Sequence, residues 1–218
     1  MTTATGVQIV DARRDHIPFI AWVVLMSHRS QLPRSMWDFM LGDDEAEVLR
    51  FLEVFVDTDT MHWGHWSLFR IAEVDGVPGA ALCGFFDNEL GGETMVAGVA
   101  ETNLKLGIAP EDAAAGWMRA KSIMNVSVKR DPGAWGVENV ATKPEFRRRG
   151  LVNRLIEDML DRGRERGGSV AAIGVFIGND PAQRAYENAG FEVTDESRDA
   201  EFESVYGCPG VRMLQRSI

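Results

Sequence analysis

The sequence predicts an α/β fold built on a mixed sheet, and three observations point that way. Short apolar runs suited to strands alternate with longer runs of helical period, an Asp75-Gly76 pair separates two of the strand-like runs, and one strand leads through a turn into a helix near Gly150. At 218 residues, with 45% hydrophobic and 26% charged side chains, the chain has the material for one elaborated core, so residues 1–218 are expected to form a single domain.

Val7 to Ala12 reads as a strand, and Asp15 to His28 as a helix with Asp15 at the N-cap and Pro18 in the first turn. Residues 29–43 mix Ser, Pro, Gly and Asp with Trp37, Phe39 and Met40. After them Asp43 or Asp44 is placed to cap a helix reaching about Val56, whose Val48, Leu49, Leu52, Phe55 and Val56 fall at helical spacing. Ser67 to Val74 and Gly79 to Phe86 read as an antiparallel pair across Asp75-Gly76-Val77-Pro78, because Asp-Gly favours a hairpin turn.

Residues 93–130 turn Ala-rich and helical, with a break near Gly107 to Pro110, and read as a two-helix insertion closed by Asp131-Pro132-Gly133. Trp135 to Thr142 is a strand, and Leu151 to Arg166 a helix with Leu151, Leu155, Ile156, Met159 and Leu160 on one face; Gly167-Gly168 ends it. Val170 to Ile177 reads as a buried strand and Asp180 to Asn188 as a helix with Pro181 near its start. Strands at Phe191 to Thr194 and Val211 to Gln215 complete the order.

Charge narrows the partners. The formal net charge of -10 argues against nucleic-acid binding, which needs an excess of Lys and Arg on one face. An acidic surface suits a cationic acceptor such as an amine, and it equally serves solubility alone. The two cysteines, Cys83 and Cys208, form no disulfide or metal-clip pattern, which fits a reducing compartment. Met1 to Gly6 carries no secretory pattern, and the apolar run Ile17 to Met26 is about half the length of a bilayer crossing. The expectation is a soluble, cytoplasmic protein with no membrane partner.

The chemistry concentrates where the strand ending at Thr142 meets the helix starting at Leu151, through Arg147-Arg148-Arg149-Gly150-Leu151-Val152. Free N–H groups at a helix start, aided by the helix dipole, make a phosphate cradle; glycine permits close approach, and guanidinium groups suit phosphate oxygens. A solvated basic helix start capped by Glu145 is the bland alternative. No glycine loop ends in Lys-Ser or Lys-Thr, and no three-glycine dinucleotide fingerprint is present.

Arg147-x-x-Gly150-x-Val152, preceded by Val140-Ala141-Thr142-Lys143-Pro144-Glu145, resembles the pyrophosphate loop of the GNAT superfamily of acetyl-CoA-dependent N-acetyltransferases, Gln/Arg-x-x-Gly-x-Gly/Ala. Val152 departs from it, standing where the family has a small residue. Downstream, Asn179-Asp180-Pro181-Ala182-Gln183-Arg184-Ala185-Tyr186-Glu187-Asn188-Ala189-Gly190-Phe191 is similar throughout to the family's Asn-x-x-Ala-x-x-x-Tyr-x-x-x-Gly-Phe. The resemblance is close over about residues 135–195 and covers the N-terminal half only in its order of elements.

The resemblance implies the GNAT fold: a splayed, mostly antiparallel central sheet flanked by helices, with acetyl-CoA entering where the strands at Val137 and Val170 part. It implies pantetheine contacts near Val140, Ala141 and Thr142, diphosphate contacts from Arg147, Arg148, Arg149, Gly150, Leu151, Val152 and Asn153, and further contacts from Asn179, Ala182 and Tyr186. It also implies direct attack of an amine on the thioester, with a backbone N–H near Val140 or Ala141 meeting the oxyanion.

Tyr186 is then the candidate acid for the departing thiolate, since a phenol stays protonated at neutral pH; its alternative is a packing aromatic. Glu138 is the candidate base, because a charge inside an apolar strand needs a reason, although an arginine partner would also supply one. His62 and His65 have no third ligand at a recognisable spacing, so no metal is expected; the Met61 to Trp66 segment fits a pocket wall better. Trp22, Trp37 and Trp117 are candidates for lining the same pocket, but aromatic residues at helical spacing are usually core, and no specific role is read for them. An acyl-CoA-binding sensor or regulatory module without turnover is the alternative to an active N-acetyltransferase. The acceptor, the acyl chain length and a homodimer are left open by the sequence.

Overall fold

The computed structural model describes residues 6–218, so the reading of Met1 to Thr5 lies outside the described residues. Seven strands form one sheet: β1 (Val7–Asp11), β2 (Phe69–Val74), β3 (Val77–Phe86), β4 (Trp135–Thr142), β5 (Val170–Phe176), β6 (Glu192–Arg198) and β7 (Gly210–Ser217), in the order β1-β2-β3-β4-β5-β7-β6. Every neighbouring pair is antiparallel except β4–β5. Around the sheet lie α1 (Ile17–Arg29), α2 (Met36–Leu41), α3 (Glu45–Val56), α4 (Gly92–Leu106), α5 (Pro110–Ala120), α6 (Leu151–Glu165), α7 (Asp180–Asn188) and α8 (Ala200–Tyr206).

Alternation along the strands sends side chains to two cores. Ala80, Leu82, Trp135 and Val137 join Leu155, Ile156, Met159 and Leu160 of α6 on one face. Ala81 and Cys83 join Ile20, Val23 and Val24 of α1 and Phe51, Leu52 and Phe55 of α3 on the other. Burying each of the Val, Leu, Ile, Phe and Met side chains among them is worth about 1.5–3 kcal/mol relative to leaving it in water, so both helical layers are held by the same physics.

Several boundaries differ from the sequence reading. A 3-10 turn, Arg14–His16, precedes α1, so Asp15 lies within that turn and His16 takes the N-cap. α2 falls inside residues 29–43: Ser35 and Asp38 form a capping box there, a local signal that outweighs the Pro and Gly nearby. Asp44, not Asp43, caps α3, accepting from the Ala46 N–H at 2.9 Å.

The hairpin turn is shorter than expected. Asp75 and Gly76 both take positive φ, 54° and 79°, which is the two-residue turn matching strand twist. Val77 and Pro78 are therefore the start of β3, paired with Val74 and Glu73. β2 begins at Phe69 because Trp66–Leu68 forms a 3-10 turn. The insertion does contain two helices broken between Leu106 and Pro110, followed by a 3-10 turn at Lys121–Asn125.

β6 runs on to Arg198, and α8 follows unannounced; its polar sequence hides an Asp199 cap that accepts from the Phe202 N–H at 2.8 Å. β7 lies between β5 and β6. No helix among the described residues is long and apolar enough to cross a membrane.

Candidate active site

β4 and β5 run side by side only at Trp135, Gly136 and Val137, which pair with Ala171, Ala172 and Ile173. β4 continues to Thr142 and β5 to Phe176, so past Val137 the two strands part. Backbone polar groups on that edge of β4 have no strand to bond, and a polar chain entering the gap would satisfy them.

At Asn139 the sheet is irregular in the same region. The β3–β4 register shifts between Ala81, which pairs with Ala141, and Cys83, which pairs with Glu138, so β4 carries one extra residue. Asn139 takes φ 55°, a conformation that Asn tolerates better than most residues. The bulge reverses the alternation: Val137 faces the α6 core, but so does Val140, while Ala141 turns to the α1 core. Asn139 is buried, accepts from Ser27 Oγ at 3.2 Å and donates to Cys83 Sγ at 3.3 Å.

At the far end of β4, Lys143 donates its N–H to Gly79 O at 2.8 Å and Phe146 packs onto Gly79, where a Cβ would lie 2.9 Å from its ring. The loop is thus pinned to β3 before it enters α6. Gly150 is the N-cap at φ 72°, with open space where a side chain would stand, and no side chain caps the helix. The first-turn amides of Leu151, Val152 and Asn153 therefore lack side-chain acceptors, and the first turn carries no acidic residue. Glu145 sits in a 3-10 turn instead of capping α6.

Arg147, Arg148 and Arg149 are exposed, and among the described residues no carboxylate pairs with them. Arg148 takes φ 60° and Arg149 lies 5.4 Å over the Phe146 ring. Val152, the departure from the family pattern, packs against the α6 core, with Leu151 buried beside it. Its side chain does not come within 4 Å of where a Cβ at Gly150 would stand. These features fit the diphosphate and pantetheine of a coenzyme A thioester.

α7 closes the other side. Asn179 caps it, accepting from the Ala182 N–H at 3.2 Å, and donates to Ser30 Oγ at 2.6 Å. Its side chain thus ties α7 to the end of α1, with one N–H and one lone pair to spare. Ala182, Ala185 and Ala189 pack against the core and bring the helix close to the sheet. Tyr186 is 6% exposed, and among the described residues its hydroxyl has no hydrogen-bond partner. Burial raises its pKa, and the charge of Glu138 raises it further, so the phenol stays protonated at neutral pH.

Glu138 points to the α1 side of β4, where its side chain is 29% exposed and accepts from Arg130 Nη2 at 2.7 Å. Burial raises its pKa, and Arg130 opposes that shift. It borders a cleft of about 460 Å³ lined also by Trp63, Phe85, Asp87, Leu90 and Arg130. The sequence placed Met61 to Trp66 at a pocket wall, and Trp63 lines this one.

His62 and His65 are buried. The pKa of His62 is lowered to about 4, chiefly by burial, and its ring contacts Phe55 O and Thr58 Oγ1. No group of three or more metal-binding side chains occurs among the described residues. Trp37 is fully buried, Trp22 stacks on Phe19, and Trp117 stays 39% exposed.

Sequence reasoning missed Asn139 and its partners, although an Asn inside an apolar strand was a visible sign of a left-handed bulge residue. It also missed Asp87 and Arg130, which lie in irregular stretches where no periodic pattern marks a direction.

No curated protein matches the sequence. Solved structures do. One described as an acetyltransferase aligns with TM-score 0.69 at 15% identity, covering 97% of this chain and 99% of its own. An N-acetyltransferase from Staphylococcus aureus Mu50 aligns with TM-score 0.65 at 19% identity, over 96% and 100%. The polyamine N-acetyltransferase of Drosophila melanogaster, which forms N-acetylagmatine, aligns with TM-score 0.55 at 14% identity, over 98% and 100%. They share this fold of a mostly antiparallel sheet flanked by helices. The model of the acetyltransferase (GNAT) family matches residues 44–191, well over half of the sequence, and the chain belongs to that family.

Proposed function

We propose that this chain, acting as one domain, transfers the acetyl group of acetyl-CoA to a primary amine of a small molecule or peptide. The observation that carries the reading is the parting of β4 from β5 after Val137; in this reading the coenzyme runs through that gap from the uncapped start of α6 towards Tyr186 and Glu138.

The family supplies the donor, since its members use acetyl-CoA. The amides of Leu151, Val152 and Asn153, with Arg147, Arg148 and Arg149, hold the diphosphate, and Gly150 leaves the room. The open edge of β4 at Val140, Ala141 and Thr142 bonds the pantetheine arm, and Asn179 and Ala182 line its other side. A backbone N–H near Val140 or Ala141, fixed by the bulge, meets the oxyanion.

The acceptor nitrogen bonds to the acetyl carbon and the carbon–sulfur bond breaks. Tyr186 gives its proton to the sulfur, and Glu138 takes one from the nitrogen. The Trp63–Phe85 wall beside Glu138 suits the body of a cationic amine. The N-acetylagmatine formed by the Drosophila melanogaster enzyme supports an amine acceptor. Cys83 and Cys208 are buried and free, in keeping with a cytoplasmic setting.

The test is release of free CoA thiol from acetyl-CoA across a panel of amines, alongside CoA-dependent thermal stabilisation. Amine-dependent release supports transfer. Stabilisation without release leaves the sensor reading instead.

A further inference from the structure

Arg130 sits between the helical insertion and β4. Its Nη1 donates to Asp87 Oδ1 at 3.0 Å, and its Nη2 donates to Glu138 Oε1 at 2.7 Å. Asp87 directly follows β3, so a single guanidinium joins the start and the end of the β3–β4 connection to the strand bearing Glu138. The guanidinium lies over Gly136, where a Cβ would come within 2.5 Å of Nη1. Glycine weakens a strand interior and usually marks a close approach; here it leaves the seat that Arg130 fills, two residues from Glu138 on the same face.

We propose that Arg130 is a positioning residue that holds the Glu138 side chain at the cleft wall in its ionised form, so that a proton acceptor is ready when the amine arrives. This rests on reading Glu138 as the acceptor's base. Four groups bear on that carboxyl: Arg130 from the connection, Asp87 from the end of β3, Tyr186 from α7 and Cys83 from β3. Burial keeps the Cys83 thiol neutral, as it does the Tyr186 phenol. The contest is therefore between burial and Asp87, which favour the acid form, and Arg130, which favours the ion.

The test titrates Glu138 directly, by NMR of protein labelled with carboxyl-13C glutamate, with Glu138→Gln assigning the signal. Arg130→Gln should raise the midpoint by about one pH unit or more, and Arg130→Lys should restore most of it. Asp87→Asn should move the midpoint the other way, and it carries the test if Arg130→Gln fails to fold. The acidic limb of kcat/KM should follow each midpoint, while thermal stabilisation by CoA stays the same. An unmoved midpoint in Arg130→Gln, or an upward shift in Asp87→Asn, overturns the proposal. If no amine supports turnover in the unmodified protein, the transfer reading fails, and the carboxyl titration still decides the role of Arg130.

Discussion

Ser27 of α1 and Asn139 of β4 are joined by a hydrogen bond of 3.2 Å, which anchors the one irregular residue of the strand to the helix packed over it. Asn139→Ala removes this bond and the one to Cys83, and leaves a side chain less tolerant of φ 55°. The expected cost is about 1–3 kcal/mol of stability. If the bulge aims the oxyanion amide, kcat should fall by more than CoA affinity, as read by steady-state kinetics and calorimetric titration. Equal losses in both would remove the bulge from the chemistry.

Tyr186→Phe deletes only a hydroxyl that has no protein partner among the described residues, so packing should survive. Turnover is expected to drop by about 100-fold or more, the usual worth of a positioned acid, with the dissociation constant for CoA nearly unchanged. Undiminished turnover would make the phenol a packing group.

Gly150→Val puts a branched side chain at φ 72° and fills the space above the α6 amides. CoA affinity should weaken by about tenfold or more, since a single misplaced charge-assisted hydrogen bond is worth about 1.5–3 kcal/mol. Calorimetric titration with CoA and with pantetheine, which lacks the diphosphate, separates the cradle from the rest of the slot. Only the first should suffer.

Glu101 gives a pH prediction away from the active site. Its carboxylate accepts from Lys105 Nζ at 2.6 Å and from the Asp59 and Thr60 N–H groups at 2.7 and 2.9 Å. The Lys105 bond is the main cause that lowers its pKa to about 2. A carboxyl whose pKa is depressed by folding stabilises above its unfolded pKa and loses that contribution as pH falls. Glu101→Gln should therefore lower Tm by about 2–4 °C at pH 7, and the gap should close between about pH 4.5 and 2. Thermal melts across that range measure it.

The proposed donor half of the site was readable because its signals are local. Gly150 and Asn179 declare themselves through neighbours three or four residues away, and the helices that follow have clear apolar faces. The proposed acceptor half is assembled from afar. Trp63, Asp87 and Arg130 meet Glu138 only through the register of β3 on β4 and the return of the insertion, and neither leaves a pattern in the residues nearby. α2 and α8 were hidden for another reason: a helix of one or two turns is decided by its cap, and Ser35 and Asp199 stand among residues that otherwise read as loop.

Since β4 and β5 share hydrogen bonds only at Trp135, Gly136 and Val137, the sheet consists of two plates joined along a short seam. Glu138 belongs to one plate, and Tyr186 is packed on the other through α7 and β5. In the proposed mechanism the spacing of the acid and the base therefore follows the angle between the two plates, and a group lodged in the gap would set it.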